Sequence, residues 1–368
     1  VKGCMDELFS LNPWKWATVV GGLSSFRLVQ GVLERTMHLD RSQFASGFLS
    51  GLASALPVLV MNVTTRTELM LYFLARALHC IGINVVLPKL PAAAQNFSHY
   101  DVVTMMLAST QILHAFVFLP KCHTASYRGF LQRATMVDGR IHATTAACHR
   151  QTCCPEVSLI TSERAINADP GTCTDLSKDT KLLCKLYHPK TTSCDIACLQ
   201  FIVNHFLKFT MPLYLPLKTV AQLVFHGKKS LKDPVGAATR TLISSAKSSL
   251  FLTVYCAVSM RIICMFAQRN IRSEAGMSTV AGVLTGATVL IEDKPRRLDL
   301  AIYCLMQSIR SSTLVLYHKG YIQLPTAAQQ TCLYMVCVAY LYATYNAKPH
   351  SLHPAVKKMF GLLLSEKL

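Results

Sequence analysis

Eight of the fifteen cysteines fall between positions 122 and 198, and the tightest group among them is Cys184, His188, Cys194 and Cys198. Three thiolates and an imidazole form a soft donor set of the kind that holds zinc in a closed tetrahedral site. The gaps between these cysteines are wider than the short CxxC knuckles of structural zinc sites, so three readings stand. One is a zinc site on Cys184, His188, Cys194 and Cys198. Another is a Cys184–Cys194 disulfide, which only an oxidising compartment permits. The third is a set of free thiols packed as small hydrophobes, the reading that also suits Cys80, Cys256, Cys264, Cys304, Cys332 and Cys337 in apolar surroundings. His79 and His114 read as polar packing residues. The chain carries no HExxH, GxSxG, phosphate-loop or dinucleotide-binding motif and no clustered acid pair. The expectation is therefore a protein that is not an enzyme and has no catalytic residue.

A second chemistry comes from arginine. Arg27, Arg76, Arg261 and Arg310 each interrupt a long apolar run. A cation at bilayer mid-depth costs at least ~2.5–3.5 kcal/mol and needs a partner, a wet cavity or a route to the interface. Glu68 and Asp299 are the acids that stand close to these runs, too few for four guanidinium groups. The expected counter-charge is an anionic phospholipid such as cardiolipin, or a neighbouring subunit.

The elements that must position these groups follow from composition. The 368 residues are 51% hydrophobic and only 15% charged, with a mean hydropathy of +0.34. A soluble domain carries roughly a quarter of its residues charged, so the composition points to a membrane. The net charge of +18 sits between apolar segments rather than along one basic stripe, which argues against nucleic acid. A hydrocarbon core of ~30 Å needs about 20 apolar helical residues. By that measure the chain offers eight spans, at residues 16–33, 44–63, 69–86, 102–119, 248–266, 277–291, 298–317 and 326–345.

These spans read as two sets of four. Gly47 and Gly51 in the second span return as Gly282 and Gly286 in the sixth, and Arg66, Glu68 and Tyr72 return as Arg297, Asp299 and Tyr303. Small residues four apart let helix backbones approach closely, so the two glycine helices are expected to pack on each other beside a pseudo-symmetry axis. The fold expectation is an all-α polytopic membrane protein. Residues 1–119 form the first four-helix repeat, 120–247 a Cys-rich connector, and 248–368 the second repeat with a basic tail. Within the connector, residues 195–225 are apolar but interrupted by Lys208, Pro212, Pro216 and Lys218, and are expected to lie in the interface with a break at the prolines. The excess of Lys and Arg then falls on one face, the matrix or cytosolic side.

The repeated glycine helix with its Arg66-to-Tyr72 and Arg297-to-Tyr303 signatures, and the block running from Cys184 through His188 and Pro189 to Cys194 and Cys198, resemble the transmembrane protein 135 family. More remotely they resemble the multi-pass import-channel superfamily of the mitochondrial inner membrane. The cysteine-rich block that family members also carry at the N-terminus is reduced here to Cys4. The resemblance implies a mitochondrial inner-membrane protein, or a peroxisomal one, without known catalytic activity. By analogy with the wider superfamily it implies an accessory subunit of a respiratory-type complex, whose partners are lipids and other membrane subunits. A transporter, translocase or lipid-handling protein is the competing reading.

Overall fold

The computed structural model describes residues 13–37, 44–95, 97–150, 152, 180–191, 193–352 and 354–364. Every regular element among them is helical. The chain's contacts separate two compact units, residues 1–98 with 323–368, and residues 99–322. This division differs from the expected one at 1–119, 120–247 and 248–368. The fourth helix of each expected repeat packs with the other repeat's glycine helix, and that pairing decides the units.

In the first unit, α1 (Pro13–Ser24) and α2 (Phe26–Met37) are separated by Ser25 alone, whose amide still bonds to the carbonyls of Gly21 and Gly22. They are followed by α3 (Phe44–Ala55), a 3-10 turn at Leu56–Val60 and α4 (Val63–Ile81). The core is a three-ring stack. Tyr342 lies 4.2 Å from Phe26 on one side and 4.1 Å from Phe360 on the other, and its hydroxyl donates to the Leu23 carbonyl at 2.7 Å.

The second unit opens with α5 (Tyr100–Phe118), α6 (Ala125–Thr135), α7 (Gly139–Arg150), α8 (Thr180–Tyr187) and α9 (Cys194–His205). Next come α10 (Met211–Lys232), α11 (Pro234–Gln268), α12 (Glu274–Ala287) and α13 (Lys294–His318). Serine and aspartate set the starts. Asp233 accepts from the Gly236 amide at 2.9 Å ahead of Pro234, and Ser273 from the Gly276 amide at 2.9 Å. Leu113, Phe116, Phe118, Ile262, Phe266 and Met277 fill the core between α5, α11 and α12. Back in the first unit, α14 (Ala327–Ala347) and α15 (Pro354–Leu363) complete the chain, and Thr326 starts α14 with a capping box to Gln329.

Among the described residues, five helices are long and apolar enough to cross a membrane: Val63–Lys89, Tyr100–Phe118, Cys194–Leu223, Pro234–Gln268 and Glu274–Ile291. Four of these coincide with expected spans. The fifth overlaps residues 195–225, where an interfacial helix broken at its prolines was expected; the helix is instead continuous. A π turn at Phe206–Thr210 precedes Pro212, and Pro216 sits inside α10. A wide turn shifts the carbonyl that the proline ring would otherwise strike, so the helix runs on. Of the other expected spans, residues 16–33 are split between two 12-residue helices, 44–63 contain the shorter apolar helix Phe44–Val60, and α13 and α14 carry the last two.

The two units carry matching local structure. Fifteen residues separate Gly51 from Arg66 and Gly282 from Arg297. The Arg66 guanidinium donates to the carbonyls of Leu59 and Met61, and that of Arg297 to the carbonyls of Leu290 and Glu292. Each arginine thus reaches back five and seven residues to close a 3-10 turn, Leu56–Val60 in one case and Thr288–Ile291 in the other. After α5 and α14 the chain repeats itself again. Leu119 and Lys348 end those helices with φ −133° and −143°, a 3-10 turn starts at Pro120 and Pro349, and His123 and Leu352 lead out extended towards α6 and α15.

Candidate functional site

Three constellations concern function: glycine packing and the arginines of the apolar runs, present in both units, and a cysteine cluster in the second. The first to consider is glycine packing, because it places everything else. Gly47 and Gly51 of α3 lie against α14, where an added Cβ would stand 2.9 Å from the Ala343 Cα and 2.7 Å from the Ala339 Cα. Gly282 and Gly286 of α12 lie against α5, with the backbone of Thr110 and of Met106 closer still. Each glycine pair is therefore spent on a fourth helix, not on the other glycine helix as expected. The register also slides by one turn. Gly51 faces Ala339 nine residues before Lys348, and Gly282 faces Thr110 nine residues before Leu119. Gly51 and Gly282 are the equivalents, with Ser278 at the place of Gly47 and Ala55 at that of Gly286. Ser278 uses its hydroxyl there, 3.1 Å from the Nδ1 of His114.

The arginines of the apolar runs have neighbours that apolar-run counting did not reveal. Arg27 donates to Gln30 at 2.9 Å and to Asn346 at 3.2 Å. Arg76 is buried, its guanidinium carbon 5.3 Å from the centre of the Tyr72 ring. Arg261 pairs with Asp195 at 2.9 Å, an acid from the connector. Arg310 lies half-buried on α13. Glu68 and Tyr72 stand on α4, and Asp299 and Tyr303 on α13, within the first turns after their arginines.

The third constellation is the cysteine cluster, and here the structure corrects the expected donor set. The ligand atoms of Cys184, His188, Cys194 and Cys264 all lie within 4.8 Å of one another. Cys198 is replaced by Cys264. The Cys198 sulfur, although on the same helix as Cys194, is not among the four that converge. Cys198 lines a neighbouring cavity of about 100 Å³ together with Arg261 and Phe201. Cys264 comes from the interior of α11, 66 residues beyond Cys198 in the chain, and had read as a buried hydrophobe.

Local structure aims each donor. Cys184 lies on α8, whose end leads into the turn carrying His188. Ser193 caps α9 so that Cys194 is its first residue. The His188 Nδ1 lies 2.9 Å from the Thr191 carbonyl, which can only accept, so Nδ1 carries the proton and Nε2 presents its lone pair. Nε2 lies 3.1 Å from the Cys194 sulfur, which stands 3.8 Å from that of Cys184 and receives the Gln268 side-chain amide at 3.1 Å. At 3.8 Å the two sulfurs are not bonded, so the Cys184–Cys194 disulfide is absent and both thiols are free. Hydrogen bonding to Cys264, then to Cys194, with His188 beside them, draws the Cys184 thiol below its ordinary value although burial opposes it. Cys153, Cys154 and Cys173 lie outside the described residues.

Beside the cluster, Tyr187 ties α8 to α7. Its hydroxyl is 3.1 Å from both His142 Nδ1 and Thr145 Oγ1. Burial, helped by the Arg128 charge and opposed by Asp138, lowers His142 to about 4. Above the ordinary histidine value of ~6.5 both folded and unfolded chains hold it neutral. As pH falls from there towards 4, the unfolded chain takes up a proton that the folded one refuses, so stability is lost on acidification. His123 and His149 shift the same way, burial again first. The expected result is a melting temperature that drops between pH 6.5 and 4, with His142→Phe flattening part of the drop, by at most about 1.4 kcal/mol per pH unit. An unchanged slope in the variant would remove His142 from the account.

No family model, no curated protein and no solved structure matches this chain.

Proposed function

We propose that this chain is a non-enzymatic structural subunit of a membrane complex, built as a duplicated four-helix module whose two copies exchange their fourth helices. The observation that carries the reading is the paired clasp of Arg66 and Arg297, each reaching the carbonyls five and seven residues back beside a glycine helix pressed onto a fourth helix. Duplicated chemistry of this kind serves packing. The charges at membrane depth are engaged internally too, Arg27 by Gln30 and Asn346 and Arg261 by Asp195.

Lipid and subunit contacts fall to the apolar faces left open. Leu199, Val203, Leu207, Leu217 and Val220 project outwards along the Cys194–Leu223 helix and are more than half exposed. In lipid such a face needs no further cover. The mitochondrial inner membrane, with a respiratory-type complex as host, rests on the sequence resemblance alone; the peroxisomal membrane is its alternative. Extraction in mild detergent, followed by native separation and mass spectrometry, is expected to recover the chain with stoichiometric membrane partners. A monomeric particle without them would overturn the proposal. One observation favours a lipid-handling role as the second reading: an apolar cavity of about 610 Å³ between α10 and α11, lined by Leu215, Leu223, Ala237 and Leu242. A phospholipid retained stoichiometrically by that monomeric particle would favour it.

A further inference from the structure

We propose that Cys184, His188, Cys194 and Cys264 bind one zinc ion that fastens the connector to the membrane helix α11. The inference is independent of the subunit reading, since it concerns donors within one unit. Four protein donors converge, and the set is three sulfurs and one imidazole nitrogen, buried apart from a half-buried His188. Tetrahedral zinc with Zn–S bonds of ~2.3 Å puts its sulfurs ~3.8 Å apart. Cys184 and Cys194 are 3.8 Å apart. All four donor atoms fall within 4.8 Å, the span of a single ion and too tight to straddle the irons of a cluster.

The surroundings are those of a metal-binding histidine. A ligating imidazole characteristically donates its other N–H to a carbonyl or carboxylate, which fixes the tautomer. His188 does this with the Thr191 carbonyl, and the freed Nε2 faces the cysteines. Gln268 supplies an N–H to the Cys194 sulfur, the usual support for a thiolate ligand. Three thiolates and zinc leave one net negative charge, and the Arg261–Asp195 pair borders the adjoining cavity with Cys194 and Cys264 through Arg261.

Four protein ligands leave no open position for substrate, so the ion is structural. It joins α8, His188 just beyond it and the first residue of α9 to α11, with donors separated by as much as 80 residues of chain. Zinc displaces the thiol protons as it binds, and binding free energy becomes folding free energy for the segments it joins.

The test uses the full-length protein in detergent. Metal analysis by mass spectrometry is expected to find one zinc per chain, and Cys264→Ser to lose it while Cys198→Ser keeps it. Wild-type protein stripped by chelator and refilled with Co²⁺ is expected to show the visible bands of tetrahedral cobalt with thiolate charge transfer, a readout that needs no variant to fold. Cys264→His, which retains four donors, is expected to hold cobalt with weaker charge transfer. A wild-type protein that carries no zinc and gives no tetrahedral cobalt spectrum overturns the proposal. So does zinc kept by Cys264→Ser and lost by Cys198→Ser, or a Cys184–Cys194 disulfide recovered from protein alkylated under non-reducing conditions.

Discussion

Gly282→Ala is expected to lower the melting temperature of the detergent-solubilised protein, and Gly282→Leu to prevent recovery of a monodisperse particle. A methyl at this position would enter the backbone of Thr110, which cannot swing aside as a flexible side chain could. The helices must separate, and every contact between α5 and α12 weakens together. Overpacking of this kind costs ~1–3 kcal/mol for a single methyl, and more for a larger side chain. Gly286→Ala should behave similarly, because its added carbon would meet the Met106 backbone and the Met105 carbonyl carbon at 3.0 Å. Gly51→Ala and Gly47→Ala should be milder, since their neighbours, Ala339 and Ala343, stand somewhat further off. The control reverses the sign. Gly21 and Gly31 have open space around them, and alanine in a helix is favoured over glycine by about 0.5–1 kcal/mol, so those variants should melt slightly higher. If Gly282→Ala melts with Gly21→Ala, close backbone contact is not what holds α5 to α12.

Arg297→Gln is expected to cost about as much, for a different reason. The Arg297 Nε donates to the Glu292 carbonyl at 2.7 Å and Nη2 to the Leu290 carbonyl at 2.9 Å, where a 3-10 turn leaves acceptors without helical donors. Hydrogen bonds from a charged donor contribute ~1.5–3 kcal/mol, and an orphaned carbonyl is costlier near hydrocarbon than in water. Arg66→Gln should match it, with the added loss of the 3.1 Å bond to Thr331. Lysine should not rescue either site, because one ammonium on a flexible stem cannot replace a planar fork that spans two carbonyls. The two arginines share no partner and belong to different units, so the double variant should melt at the sum of the single shifts. Full rescue by Arg297→Lys would mean that charge alone matters there.

The same positions show how far the sequence could be read. That the chain is helical, that several helices suit a membrane, and that residues 44–74 and 277–305 echo each other were legible from apolar runs and from arginine and glycine spacing. The echo was read one turn out of register, because GxxxG against GxxxG looks like the natural alignment. The fifteen-residue spacing to Arg66 and Arg297, and the contacts with Ala339 and Thr110, both show that Ser278 stands for Gly47. The prolines misled for a related reason. Pro212 and Pro216 signal a break when taken alone, but a π turn upstream accommodates Pro212 and the helix continues through Pro216, and no residue type announces a π turn.

The donor set shows the limit most clearly. Cys184, His188 and Cys194 lie within eleven residues, and a turn and an N-cap bring them together, so their sequence spacing was informative. Cys198 was a fair fourth donor by proximity, but its sulfur is not among the four that converge in the structure. Cys264 and Asp195, the partners that complete the thiol cluster and pair with Arg261, were invisible as such. What the sequence by itself determined about this protein is what acts within a few turns: which stretches are helical, which are apolar, and where small residues permit close approach. Which helix fills each glycine face, and which cysteine closes the cluster, were decided by tertiary structure alone. Those choices depend on side-chain shape matched across helices far apart in the chain, and no local pattern records that match.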